Sequence, residues 1–127
     1  MNVKQGYKNL EVYQRSYQMA RRVHEISLKF PSFERMEIAG QIRRAAISIP
    51  LNIAEGYSKN ESNKELCRFL RMSIGSANEV LVLLDFSKDF NYISVEGHED
   101  LVNQYTQIAK MLQNKKKTPK IGAFGAP

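Results

Sequence analysis

The chain has 127 residues, 43% of them hydrophobic, with a formal charge of +6 and a pI of about 9.5. That is the size of one domain with enough apolar residues for a core, and the positive balance suits acidic partners as readily as it suits plain solubility. Cys67 is the only cysteine, which excludes an intrachain disulfide. No apolar run approaches the ~20 residues that span a bilayer, and residues 1–9 lack the apolar centre of a signal peptide, so a soluble cytoplasmic protein without a membrane partner is expected.

Apolar spacing is helical along nearly the whole chain. In the first segment Leu10, Tyr13, Tyr17, Ala20, Ser27 and Phe30 mark a core face, widened by Val12, Met19, Val23 and Ile26, and Pro31 stops the helix. A second helix is predicted from near Glu34, with Ser32 as its N-cap. Ile38, Ile42, Ala46, Ile49 and Ile53 recur through it at steps of three and four, and Gly56 and Ser58 offer a stop. Ser62-Asn63-Lys64-Glu65 has the capping-box pattern and opens a third helix through Leu66, Leu70, Ser73, Ala77, Leu81 and Leu84 to about Phe90. The fourth starts near Ser94, carries Leu101, Tyr105, Ile108 and Leu112, and ends among Lys115, Lys116 and Lys117, where cations favour the helix dipole. Long helices with short loops predict an all-α, antiparallel up-down four-helix bundle over residues 1–117, followed by a flexible C-terminal tail at 118–127.

Pro50 interrupts the second segment. Proline within a helix removes a hydrogen bond and clashes with the preceding turn, at ~3 kcal/mol or more. Either a helix ends near Ile49 and another starts at Pro50, or one helix continues through a kink. The second account is preferred because Ile42, Ala46, Ile49, Ile53 and Gly56 keep their phase across position 50. It leaves the carbonyl of Ala46 without a donor, and polar side chains of the stripe of Ser48, Asn52 and Glu55, or a trapped water held by it, are expected to serve the kink, with Glu55 pairing to a basic residue of a neighbouring helix. A ligand or catalytic site at Asn52 and Glu55 is the alternative.

Two helices carry more apolar surface than one core needs. Ile47, Leu51 and Ala54 lie roughly opposite the core face of the second helix, and Val82, Leu83 and Phe86 belong to a run of the third that points in all directions. These six residues are the expected oligomer interface, against the alternative of scattered exposed apolar residues. Charge is uneven too: residues 1–60 hold 10 Lys and Arg against 5 Asp and Glu, and residues 61–127 hold 9 against 8. Arg15, Arg21, Arg22, Lys29, Arg43, Arg44, Lys115, Lys116 and Lys117 are the candidate nucleic-acid contacts, since guanidinium groups grip phosphate through paired hydrogen bonds. Arg22 can equally pair with Glu25 or Glu37, and Arg43 and Arg44 with Asp85 or Asp89 of another subunit.

Enzyme chemistry finds little support. His24 and His98 have no metal-ligand spacing with Cys67 or a carboxylate pair, and no phosphate loop or nucleophile elbow occurs. His24 is expected to border the core and His98 to sit in solvent. Gly75, Ser73, Ser76 and Ala77 are read as small residues that permit close helix packing. Base stacking by tyrosines is disfavoured because Tyr13 and Tyr17 fall on the predicted core face. No cofactor, metal or catalytic residue is expected.

Gln41-Ile42-Arg43-Arg44-Ala45-Ala46, Ser48-Ile49-Pro50 and Asn52-Ile53-Ala54-Glu55-Gly56 form an ordered series. It resembles the central signature of the four-helix-bundle family encoded by intervening sequences of bacterial 23S ribosomal RNA genes, often labelled ribosomal proteins. Leu10-Glu11-Val12-Tyr13, Phe69-Leu70, Gly75-Ser76 and Asn78-Glu79 agree, and the resemblance covers about residues 7 to 112. Leu51 departs from it, standing where a small residue is common. The resemblance implies assembly as a ring, most often a homopentamer. It also implies kinship with the accessory variability determinant of diversity-generating retroelements, a basic ring that binds nucleic acid and a reverse transcriptase. No enzymatic activity comes with it. The expectation is therefore a basic, oligomeric RNA- or DNA-binding accessory protein. The alternative is an adaptor whose ring recruits a partner protein without touching nucleic acid.

Overall fold

The computed structural model describes residues 3–59 and 62–119. Four α-helices are present, α1 Glu11–Ser27, α2 Ile38–Lys59, α3 Asn63–Asp89 and α4 Val95–Lys117, with short 3-10 helices at Val3–Asn9 and Ser32–Glu34. There is no strand among the described residues. Helices adjacent in sequence pack side by side, and α1 also meets α4, so that one continuous core joins all four. The expected tail falls almost wholly on residues 120–127, outside those described.

Side-chain contacts mark the starts of α2, α3 and α4. The Ser62 hydroxyl accepts from the Glu65 N–H (3.0 Å) and the Ser94 hydroxyl from the Gly97 N–H (2.9 Å), so both expected caps are present. The start of α2 differs from expectation. Ser32 opens the short 3-10 helix instead, α2 begins four residues after Glu34, and the Glu34 carboxylate reaches back to the Ile38 N–H at 3.4 Å. At the other end, α1 stops at Ser27, before the predicted proline stop, in a tightened turn where Phe30 N–H meets the Ser27 carbonyl. Between α3 and α4 the chain reverses at Asn91, whose φ of 64° is in the left-handed region that asparagine tolerates.

The predicted core faces of α2 and α4 are the observed ones. Ile42, Ala46, Ile49 and Ile53 are buried, as are Leu101, Tyr105, Ile108 and Leu112. The face of α1 is rotated from its expected position. Val12, Ser16, Met19 and Val23 point inward, whereas Tyr17 is 48% exposed and Tyr13 half-buried. A serine can occupy the centre of that face because its hydroxyl donates to the Tyr13 carbonyl (3.0 Å), which meets the cost of burying it. The tyrosines are thereby turned to the flank.

Pro50 lies inside α2, which is helical from Ile38 to Lys59. The side chains around it do not serve the carbonyl of Ala46. Asn52 donates to the Ser48 carbonyl (2.9 Å), Ser73 of α3 donates to the Ile49 carbonyl (2.9 Å), and the Ser48 and Ser76 hydroxyls bond at 2.6 Å. The two serine contacts brace α2 to α3 beside the proline, while Asn52 bonds within α2. Glu55 takes no part: it is exposed and in none of the described ion pairs. Gly56 does not end the helix either. A Cβ there would lie 2.9 Å from Phe69 Cβ and 3.0 Å from Leu66 Cδ1, so glycine lets α3 approach. Gly75, expected to permit such packing, faces open space instead.

Candidate nucleic-acid interface

The basic residues fall into three groups. Those of the first are neutralised within the chain. Arg22 meets Asp100 of α4 at 2.5 Å, not Glu25 or Glu37, and Arg15 lies 3.6 Å from Glu11 and donates to Gln107 at 2.7 Å. The sequence did not give the register of α4 against α1, so Asp100 and Gln107 were not foreseen.

Arginines without a carboxylate make up the second group. Arg43 is half-buried, and its guanidinium donates to Ser27 Oγ (2.9 Å) and to the Arg35 carbonyl (3.2 Å). It is thus held against its own protomer. Arg21, Arg35 and Arg44 are exposed, and none of them, nor Arg43, is in a described ion pair. Gly40 lets the Arg35 backbone and the Arg44 side chain approach: a Cβ on it would sit 2.8 Å from the Arg35 carbonyl oxygen and 3.2 Å from Arg44 Nη1. Sequence reasoning did not single out Arg35, which it placed in the first turn of the second helix; in the structure it lies in the turn before α2. Lys29 is exposed in the turn just after α1.

The lysines form the third group. Lys115, Lys116 and Lys117 close α4, where the Lys116 carbonyl lies 3.7 Å from Cys67 Sγ at the start of α3. The arginines lie toward the other end, where Glu34 meets Tyr92 after α3. Helix α3 has 27 residues, about 40 Å at ~1.5 Å each, so lysines and arginines do not make one patch in a protomer.

Beside the arginines runs a groove of about 460 Å³ between α1 and α2. Tyr7, Tyr13 and Tyr17 line one side, Ile47, Pro50, Leu51 and Ala54 the other, with Arg21, His24 and Glu25 at its edge. Tyr7 and Tyr13 meet edge-on at 4.9 Å, and Tyr13 and Tyr17 lie 5.9 Å apart. Burial, with the neighbouring phenols adding to it, raises the Tyr13 pKa, so its hydroxyl stays neutral. A shallower depression continues from this groove over His24, Arg43, Arg44, Ile47 and Leu51. His24 is therefore an exposed residue between the two, not a border of the core.

The six expected interface residues divide. Ile47 and Leu51, 46% and 56% exposed, and half-buried Ala54 belong to the groove. Val82 and Phe86, one turn apart, are exposed on α3, and Met72 is exposed nearer its start. Leu83 is 7% exposed and lies in this protomer's own core, because α3 turns it toward the other helices. His98 is also placed otherwise than expected: it is half-buried, with Nε2 2.7 Å from Asp85 Oδ1.

Among the described residues no group of three or more His, Cys, Asp or Glu is placed to hold a metal ion, and no helix is long and apolar enough to cross a membrane. The molecule is an all-helical protein with four helices about one core and an arginine-rich edge beside an apolar groove. The chain belongs to the 23S rRNA-intervening sequence protein family, whose model matches residues 8–114. It is similar to a crystal structure of a protein of unknown function from the S23 ribosomal protein family of Bacteroides thetaiotaomicron VPI-5482. The two share 30% identity with a TM-score of 0.75 over 84% of this chain and 99% of that one. No curated protein matches the sequence.

Proposed function

We propose that this protein is a non-catalytic, nucleic-acid-binding accessory factor, an antiparallel up-down bundle that works as an oligomer. The observation that carries the reading is the contrast between its arginines. Arg15 and Arg22 have acceptors on neighbouring side chains, whereas Arg43 and Arg44 line one depression, Arg21 lines the groove that adjoins it, the Arg35 carbonyl is held by Arg43, and none of the four is in a described ion pair. Unneutralised guanidinium groups at one edge suit phosphate, which they grip bidentately.

Self-association uses Val82 and Phe86 on α3, one turn apart, exposed and apolar without a cover in the protomer. A ring, of five copies as the family resemblance implies, repeats each basic edge and each lysine cluster. Several weak contacts then act together on one polyanion. Binding is weakly sequence-specific and falls steeply with salt. Anisotropy titrations with duplex DNA and structured RNA at rising salt test this, and no binding at low salt by the intact oligomer overturns it.

A second reading is an adaptor that recruits a partner protein. The exposed pair Phe86 and Phe90, with ring centroids 5.9 Å apart, favours it. Phe86→Ser abolishing capture of a partner, with nucleic-acid binding absent throughout, would favour that function.

A further inference from the structure

Resting on the nucleic-acid reading above, we infer that the groove between α1 and α2 holds unstacked bases of a single strand, with the neighbouring arginines on its phosphates. Three features converge. First, the groove offers aromatic faces: Tyr17 is 48% exposed and lies within 5.9 Å of Tyr13. Every base has a π-face, so stacking on such rings is strong and tolerant of sequence. Second, the opposite wall is aliphatic, with Ile47 and Leu51 about half exposed, and a flat ring fits between such walls. Third, the cationic edge is continuous with the groove, since His24, Ile47 and Leu51 line both the groove and the depression that reaches Arg43 and Arg44.

Charge decides among the occupants. Arg21 lines the groove and Arg44 lies beyond Leu51, neither in a described ion pair. The one carboxylate in the lining, Glu25, is also in no described ion pair. An apolar helix of a partner would meet the aliphatic wall and leave these guanidiniums unanswered. A single strand brings planar apolar surface and negative charge at every nucleotide, whereas a duplex keeps its base faces stacked and offers only phosphate.

The test compares a labelled single-stranded RNA of mixed sequence with the matched duplex, by anisotropy at low salt, for the native protein, Tyr17→Leu and Tyr17→Phe. The six tyrosines are the only intrinsic fluorophores of consequence, since tryptophan is absent, so stacking also quenches the protein's emission. The native protein and Tyr17→Phe are expected to prefer the single strand, and Tyr17→Leu to lose about tenfold in single-strand affinity with duplex affinity unchanged. Equal loss on both ligands, or no loss on either, overturns the groove assignment and leaves the arginine-edge reading standing. A change of oligomeric state in Tyr17→Leu, seen by light scattering, also overturns it, because the groove is then covered by a second copy. Absence of binding to both ligands by the native oligomer overturns the arginine-edge reading together with the groove.

Discussion

The phenol of Tyr92 donates to Glu34 Oε2 across 2.5 Å, joining the turn between α3 and α4 to the connection that precedes α2. Glu34 is a buried carboxylate, and such a group is costly unless it is hydrogen-bonded. Its other oxygen faces the Ile38 N–H, so one side chain caps α2 and anchors a distant turn. The ring of Phe30 packs on Tyr92 at 5.1 Å. The latch fixes the end of the molecule from which the arginine edge projects.

The latch gives the fold an alkaline limit. The hydrogen bond to Glu34, then burial, then the charge of that carboxylate, push the Tyr92 pKa up from 10.0 to about 12. Between those values the unfolded chain releases a proton that the folded chain keeps. The contribution is therefore whole below about pH 10 and is lost as pH rises to about 12. Burial raises Tyr57 to about 12 and acts in the same sense. Urea denaturation of Tyr92→Phe, followed by circular dichroism, should show a lower midpoint at pH 7 and a flatter decline between pH 10 and 12.

Much of this architecture was legible in the sequence. Helical phase gave α2 and α4 their buried faces, and Ser62 and Ser94 marked two helix starts, because both signals are local. Continuation through Pro50 was legible for the same reason. What failed depends on partners far along the chain. Tyr13 and Tyr17 fall on the predicted core face because their spacing from Leu10 and Ala20 is helical. Ser16 takes that place because it bonds to a carbonyl of its own helix. Gln107 and Asp100, which accept from Arg15 and Arg22, lie on α4, and the value of each arginine as a phosphate contact turns on them. Arg35 escaped notice because its place beside the other arginines depends on the turn before α2, where its carbonyl accepts from Arg43 and abuts Gly40.

The two mid-helix glycines should respond oppositely to alanine. At Gly56 a methyl group would press on Phe69 Cβ at 2.9 Å, and overpacking of this kind costs about 1–3 kcal/mol, more than the ~1 kcal/mol gain in helix propensity offsets. At Gly75 a methyl group meets nothing within 4 Å, so Gly75→Ala should stabilise the protomer by about 0.5–1 kcal/mol. Thermal or urea unfolding of the two variants gives the comparison, and the same sign in both would contradict the packing described.

Neighbouring positions on α3 separate self-association from folding. Val82 is 55% exposed, so Val82→Asp should leave unfolding free energy within about 0.5 kcal/mol while reducing the oligomer in light scattering. Leu83 lies in the core, and Leu83→Ala should cost about 2–5 kcal/mol. An unaltered oligomer in Val82→Asp would remove Val82 and Phe86 of α3 from the interface.

The arginine edge makes its own demand on binding data. Arg44 is exposed and in no described ion pair, so Arg44→Gln removes one phosphate contact without disturbing a partner. Affinity for nucleic acid should fall several-fold, and the slope of log K against log salt should become shallower by about 1 for each protomer in contact. Arg22 is engaged by Asp100, so Arg22→Gln should leave both affinity and slope unchanged, at a stability cost below about 1 kcal/mol for a surface pair. Arg43→Gln is expected to do more than either: it loses a phosphate contact and also the bonds that hold Ser27 and the Arg35 carbonyl, so affinity and thermal midpoint should fall together. Equal effects of Arg22→Gln and Arg44→Gln would mean that binding follows net charge alone, and the edge would then have no privileged role.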